Sequence, residues 1–217
     1  MSASSTVWQG AGRRIHMQEV GTRDGLQMEQ AFVPTEEKIA LVNALSNAGL
    51  SKIEVTSFTS PTAIPALRDA EIVMREITRR AGTVYTALVP NVRGAERAIE
   101  ARTDELNLVM SASETHNISN LRMTREQSFA SLAQVVATAQ AAQVAVNVSL
   151  SCVFGCPMEG NVHASAVFDW VQRFADLGVR GITLCDTTGM AYPTQVHQLT
   201  TAARARWPGM DFTLHFH

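Results

Sequence analysis

The stretch 16-HMQEVGTRDGLQ-27 starts as a strand and ends in a crowd of unlike polar groups. His16–Val20 reads as the strand, and Glu19, Arg23, Asp24 and Gln27 follow closely, with Gly21 and Gly25 set among them. No G-x-G-x-x-G follows it, and the chain contains no P-loop. The first turn thus carries charge where a nucleotide-binding sheet carries a phosphate-cradling glycine loop. An open α/β sheet concentrates its ligand groups at one switch point, whereas a barrel gathers them from the whole rim of strand ends. The rest of the chain decides between the two.

Further strands are expected at Lys52–Ser57, Val84–Val89, Glu105–Met110, Ala145–Leu150, Gly181–Cys185 and Asp211–His217. Helices are expected at Thr35–Asn47, Ile64–Arg79, Arg93–Ala101, Thr124–Gln143, Ala164–Leu177 and Pro193–Arg206. In the first of these, Ile39, Leu41, Val42 and Leu45 fall on one helical stripe. Thr124 and Gln127 have the spacing of a capping box. The strand–helix beat, roughly 30 residues per unit, is that of βαβ units and a parallel sheet. "ITLC" and "LVM" are apolar on successive residues, as in strands covered on both faces.

Polar residues sit at many strand ends. They are Arg23 and Asp24 after strand one, Glu54 and Ser57 on strand two and Asn91 after strand three. Ser113 and Glu114 follow strand four, Ser151 ends strand five, Asp186 ends strand six, and His215 and His217 lie on strand seven. This rim pattern predicts an α/β fold of the TIM (β/α)8 barrel type. Seven strands and six helices are found, where the fold typically needs eight of each and about 250 residues. The expectation is a barrel whose eighth strand is missing from this chain, so that residues 15–217 form a C-terminally incomplete barrel domain. Residues 1–14 are expected to be a disordered tail. Their lack of acids and the pair Arg13–Arg14 are only a weak echo of a transit peptide.

Hydrophobic residues make up 46% of the 217, enough for a sizeable core, and the net charge is -2 with no basic run. Nucleic acid and anionic membrane are therefore not expected partners. No apolar stretch approaches the ~20 residues of a bilayer span. The cysteines are Cys152, Cys156 and Cys185, an odd, low count that does not suggest a disulfide framework. Cys152 and Cys156 lack the second pair a zinc site needs. A reducing, cytoplasmic setting is the expectation.

His215 and His217 are two apart, so on a strand they share one face. Two imidazoles beside a carboxylate, with Asp24 the natural third group, form a plausible divalent-metal site. The bland alternative is two terminal histidines and a surface Arg–Asp pair. Arg23 would neutralise a carboxylate or stabilise an oxyanion. Glu54 is mid-strand, where glutamate is rarely at home; facing inward it needs a partner such as Arg23, facing outward a helix lysine. Asp186 is either part of a site or a turn-capping residue.

Together these segments resemble a known family. "EVGTRDGLQ", "GLSKIEVTSFTSP", "LVPN", "SASETHN", "SCVFGCPMEG", "CDTTGM" and "LHFH" are similar to successive signatures of the 3-hydroxy-3-methylglutaryl-CoA lyases, which are metal-dependent TIM-barrel enzymes. The resemblance runs from about Ile15 to His217. It implies a divalent cation, Mg2+ or Mn2+, held by Asp24, His215 and His217. It also implies that Arg23 stabilises an enolate oxygen, that Glu54 and Asp186 belong to the catalytic shell, and that Gln27 and Asn120 lie near metal or substrate. The implied reaction is retro-Claisen cleavage of an acyl-CoA to acetyl-CoA and acetoacetate, or the matching keto product, by a homo-oligomer, expected to be a dimer. Two departures matter. The family's further asparagine ligand and its loop cysteine would lie beyond His217, and Ser149 stands where well-studied members carry a tyrosine. Rival readings are a Claisen-condensing enzyme of the isopropylmalate synthase type and a non-catalytic barrel fragment.

Overall fold

A computed structural model describes residues 15–217; the expected tail, residues 1–14, lies outside the described residues. In chain order the strands are β1 (Gln18–Glu19), β2 (Lys52–Ser57), β3 (Val84–Leu88), β4 (Glu105–Ser111), β5 (Ala145–Ser151), β6 (Gly181–Asp186) and β7 (Asp211–Phe216). The helices are α1 (Thr35–Asn47), α2 (Ala70–Glu76), α3 (Val92–Glu100), α4 (Glu114–Leu121), α5 (Arg125–Ala141), α6 (Ala164–Asp176) and α7 (Pro193–Arg206). All pairings are parallel, and the sheet order is the chain order, β1 to β7.

This sheet is curled. Gln18 Nε2 on β1 donates to Thr213 Oγ1 on β7 at 3.0 Å, so the first and last strands face each other through their side chains. No backbone pairing joins β7 to β1 among the described residues. The architecture is an α/β barrel of TIM type with seven strands.

Alternation along each strand divides the molecule into two layers. Ile53, Leu106, Leu108, Val148, Leu150, Ile182 and Leu184 are fully buried and belong to one core with Val73 and Met74 of α2, Val135 and Val136 of α5, and Val171 and Phe174 of α6. The alternate residues face inward and are polar: Lys52, Glu54, Glu105, Asn107, Asn147, Ser149 and Thr183 meet one another across the lumen.

The structure corrects three local expectations. β1 is only two residues long, because Arg23 N and Asp24 N both donate to Val20 O and coil Gly21–Gly25 into a π-helical turn. The single helix expected over Ile64–Arg79 is broken: Pro65–Leu67 forms a 3-10 turn, and α2 stops at Glu76 where Ile77 becomes extended. Asp69, just before α2, is turned onto Lys38 Nζ (2.7 Å) and Thr35 Oγ1 (2.8 Å) of α1 and makes no cap bond. Lastly, the described residues form seven α-helices where six were expected. α4 has little hydrophobic signal and is anchored by a fully buried asparagine, Asn117, which accepts from Ser111 N and donates to Met123 O and Ser128 Oγ. The Thr124–Gln127 capping box is present at the start of α5. None of the described helices is long and apolar enough to cross a membrane.

Candidate active site

The π-helical turn after β1 is pinned to β2 by Thr22 Oγ1, which donates to Glu54 O at 2.7 Å. That anchor carries Arg23 over the top of the lumen. Its Nε and Nη2 both reach Glu54 Oε2, at 2.9 and 2.8 Å, and its Nη1 reaches Asp24 Oδ1 at 2.7 Å. A guanidinium has five N–H groups; these three bonds leave two of them uncommitted. Both Arg23 and Glu54 are buried, so their opposite charges offset a desolvation cost that neither would tolerate alone. The second oxygen of Glu54, Oε1, accepts from Asn107 Nδ2 at 2.7 Å. Both oxygens thus act as acceptors, and Glu54 faces inward with Arg23 as its partner.

Asp24 divides its carboxylate. Oδ1 is held by Arg23, and Oδ2 lies 3.7 Å from His215 Nε2. His215 on β7 and His217 just after it stack their rings, with centroids 4.7 Å apart and planes inclined by 17°. One donor atom from each of Asp24, His215 and His217 falls within 4.8 Å of the other two. Among the described residues this is the one such group of potential metal ligands. Burial lowers the pKa of His215, and the neighbouring His217 lowers it further against the opposing pull of Asp24. This favours the neutral imidazole, the form that donates a lone pair. The donor set fits a divalent cation: one hard oxygen and two borderline nitrogens, separated by about twice a 2.0–2.6 Å ligand bond.

The other expected residues are more dispersed. Ser149 is buried on the lumen floor and donates to Asn107 Oδ1 at 2.9 Å. Asp186 is buried at the end of β6, where Oδ1 accepts from Met190 N (2.8 Å) and Ala191 N (3.1 Å); it fixes the turn whose Gly189 approaches His217 O. Gln27 is half-buried and borders a surface cleft with Phe32, Ile64 and Arg68. Asn120 lies on the exposed side of α4, apart from this cluster.

Sequence reading missed Asn107, Asn147 and Thr183, whose side chains link β4, β5 and β6 under Glu54. It also missed Cys185, which points at the same polar cluster. Burial pushes its thiol up to about 12, only partly opposed by Ser149, so it is a poor nucleophile at neutral pH. The usable signal was register: Asn107 and Asn147 are opposite one another on adjacent strands and share a face with Glu105 and Ser149.

Comparison with known proteins follows the same lines. The HMGL-like family profile matches residues 14–217. The hydroxymethylglutaryl-CoA lyase YngG of Bacillus subtilis is 44% identical over 205 residues, covering 94% of this chain and 69% of its own length. The mitochondrial hydroxymethylglutaryl-CoA lyase of Rattus norvegicus is 36% identical over 218 residues, covering 100% of this chain and 67% of its own. Among solved structures, the HMG-CoA lyase of B. subtilis superposes with a TM-score of 0.90 at 44% identity, over 95% of this chain and 69% of that one. An HMG-CoA lyase from Acinetobacter baumannii in complex with coenzyme A and 3-methylmalate gives 0.87 at 48% identity, over 92% and 65%. The chain therefore spans about two thirds of the length of the relatives it matches.

Proposed function

This chain belongs to the HMGL-like family, and from that premise we propose that it serves metal-dependent cleavage of 3-hydroxy-3-methylglutaryl-CoA, or a close 3-hydroxyacyl-CoA, to acetyl-CoA and acetoacetate or the matching keto product. The observation that carries the reading is the divided carboxylate of Asp24, with Arg23 on one oxygen and His215 facing the other. Asp24, His215 and His217 are the residues that would hold the cation, Mg2+ or Mn2+, which supplies Lewis-acid polarisation and a template when bound. Arg23 presents its two uncommitted N–H groups to the enolate oxygen that develops as the C2–C3 bond breaks. Preorganised donors of this kind in a water-poor site stabilise charge where it appears. Glu54 holds the guanidinium in place, and Asp186 shapes the rim beside His217.

Ser149 gives the floor of the site a small, polar surface, so the acyl group sits against its hydroxyl. The 3-methylmalate in the A. baumannii complex is a hydroxy-dicarboxylate, and this supports a hydroxylated diacid chain on the substrate. Gln27, which borders a cleft with Arg68, and Asn120 are read as residues on the substrate side of the site. The relatives quoted are lyases, which favours cleavage over condensation of the isopropylmalate synthase type. A cytoplasmic setting rests on three free, buried thiols. The expected homodimer is checked by light scattering.

The direct experiment incubates the complete gene product with 3-hydroxy-3-methylglutaryl-CoA and Mg2+ or Mn2+ and measures acetyl-CoA and acetoacetate. Equal amounts of the two products, abolished by a chelator, are expected. An absence of both products with either metal would overturn the reading.

A further inference from the structure

A run of side-chain hydrogen bonds crosses the lumen beneath Arg23, and Asn107 is its branch point. Asn107 Oδ1 accepts from Asn147 Nδ2 and from Ser149 Oγ, each at 2.9 Å. Asn147 Nδ2 also donates to Thr183 Oγ1 at 2.9 Å. The Glu54 carboxylate can only accept, so the Asn107 amide has one orientation: its Nδ2 faces Glu54, 2.7 Å from Oε1. A flipped amide would set its oxygen against the Glu54 carboxylate and its N–H groups against Asn147 Nδ2, while the Ser149 hydroxyl could turn to accept. All five side chains are buried, so an unmade bond here is not replaced by solvent.

The consequence reaches Arg23. The last torsion of a glutamate is broad and soft, and Arg23 grips only Oε2, so that contact alone does not fix the plane of the carboxylate. The Asn107 bond to Oε1 supplies the second point. We propose that Asn107 is a positioning residue for the reaction: it locks the Glu54 carboxylate, which in turn aims Arg23 between Asp24 and the substrate oxygen. The proposal rests on the reading of Arg23 and Asp24 given above. Asn107 itself touches neither substrate nor metal ligand. Ser149 and Asn147 act one step further back, by bonding the amide oxygen.

The test uses Asn107→Leu and Asn107→Asp in the complete protein. The aspartate keeps the shape and the acceptor oxygen but turns a carboxylate toward Glu54, so it serves if the leucine variant does not fold. Two readouts are taken. By NMR, hydrogen exchange of the Arg23 Nε–H should quicken about tenfold or more, since its partner no longer holds still. In the lyase assay, kcat should fall on the order of 10²-fold, the scale of a misplacement of about 1 Å, with little change in KM. Against an Arg23→Lys background the same substitutions should add almost nothing, because residues acting through one group are strongly non-additive. An unchanged Arg23 exchange rate, or an undiminished loss in the Arg23→Lys background, would overturn the proposal. If the parent protein shows no lyase turnover, the functional reading fails, and the Arg23 exchange rate alone decides the role of Asn107.

Discussion

Glu54→Gln removes one charge from a buried pair and keeps its shape. Arg23 is then left with Asp24 as its remaining counter-charge, and the new amide faces N–H groups on both sides, from Arg23 and from Asn107. Whichever way the amide turns, one N–H opposes another. Removing one partner from a buried ion pair costs ~3–5 kcal/mol. Asp24 remains within reach of Arg23, so the lower end, about 3 kcal/mol, is expected. For a domain of this size each kcal/mol moves Tm by ~2–4 °C, which gives a drop of about 6–12 °C. Differential scanning calorimetry reads it directly. The double variant Arg23→Met/Glu54→Leu supplies the contrast: replacing both members of a buried pair by apolar groups is often neutral, so it should melt above Glu54→Gln. A Glu54→Gln protein melting within about 2 °C of the parent, less than one kcal/mol on this scale, would refute the claim that Glu54 carries a buried charge for Arg23.

Ser149→Tyr should lower kcat/KM for substrates with a bulkier C3 group, relative to the methyl substrate, by about tenfold, the scale of one methylene's discrimination; an unchanged ratio removes Ser149 from specificity. Thr124→Ala deletes the capping box of α5 and should cost about 1 kcal/mol in chemical denaturation. Cys185 titrates near 12 in the folded protein against an ordinary 9.0, so its contribution is fully present below pH 9.0 and is lost as pH rises toward 12. Stability measured across that window should fall more steeply for the parent than for Cys185→Ala, by up to ~1.4 kcal/mol per pH unit, and parallel slopes would contradict the burial of this thiol.

The barrel was legible because its outer layer obeys simple rules. Leu106 and Leu108, Val148 and Leu150, and Ile182 and Leu184 alternate outward on their strands, and α1 covers the expected Thr35–Asn47. The elements that went unread are held by side-chain contacts outside their own segments. The π-helical turn depends on Glu54 O, 32 residues away from Thr22, and α4 depends on what Asn117 meets in Ser111, Met123 and Ser128. The candidate site divides the same way. Asp24, His215 and His217 carry chemistry visible in any context, and the two histidines share a strand face by spacing alone. Asn107, Asn147 and Thr183 read locally as solvent-facing polar residues, and only the closing of the sheet turns them toward Glu54.

The central claim is that Asp24, His215 and His217 hold one divalent cation. Titration of Mn2+ into the protein, with free ion followed by electron paramagnetic resonance, tests it without reference to turnover. About one ion per chain should bind, and Asp24→Ala and His217→Ala should each weaken binding by at least ~10–100-fold, the loss already seen for groups that merely support a ligand. Equal Mn2+ affinity in the parent and both variants would contradict the account.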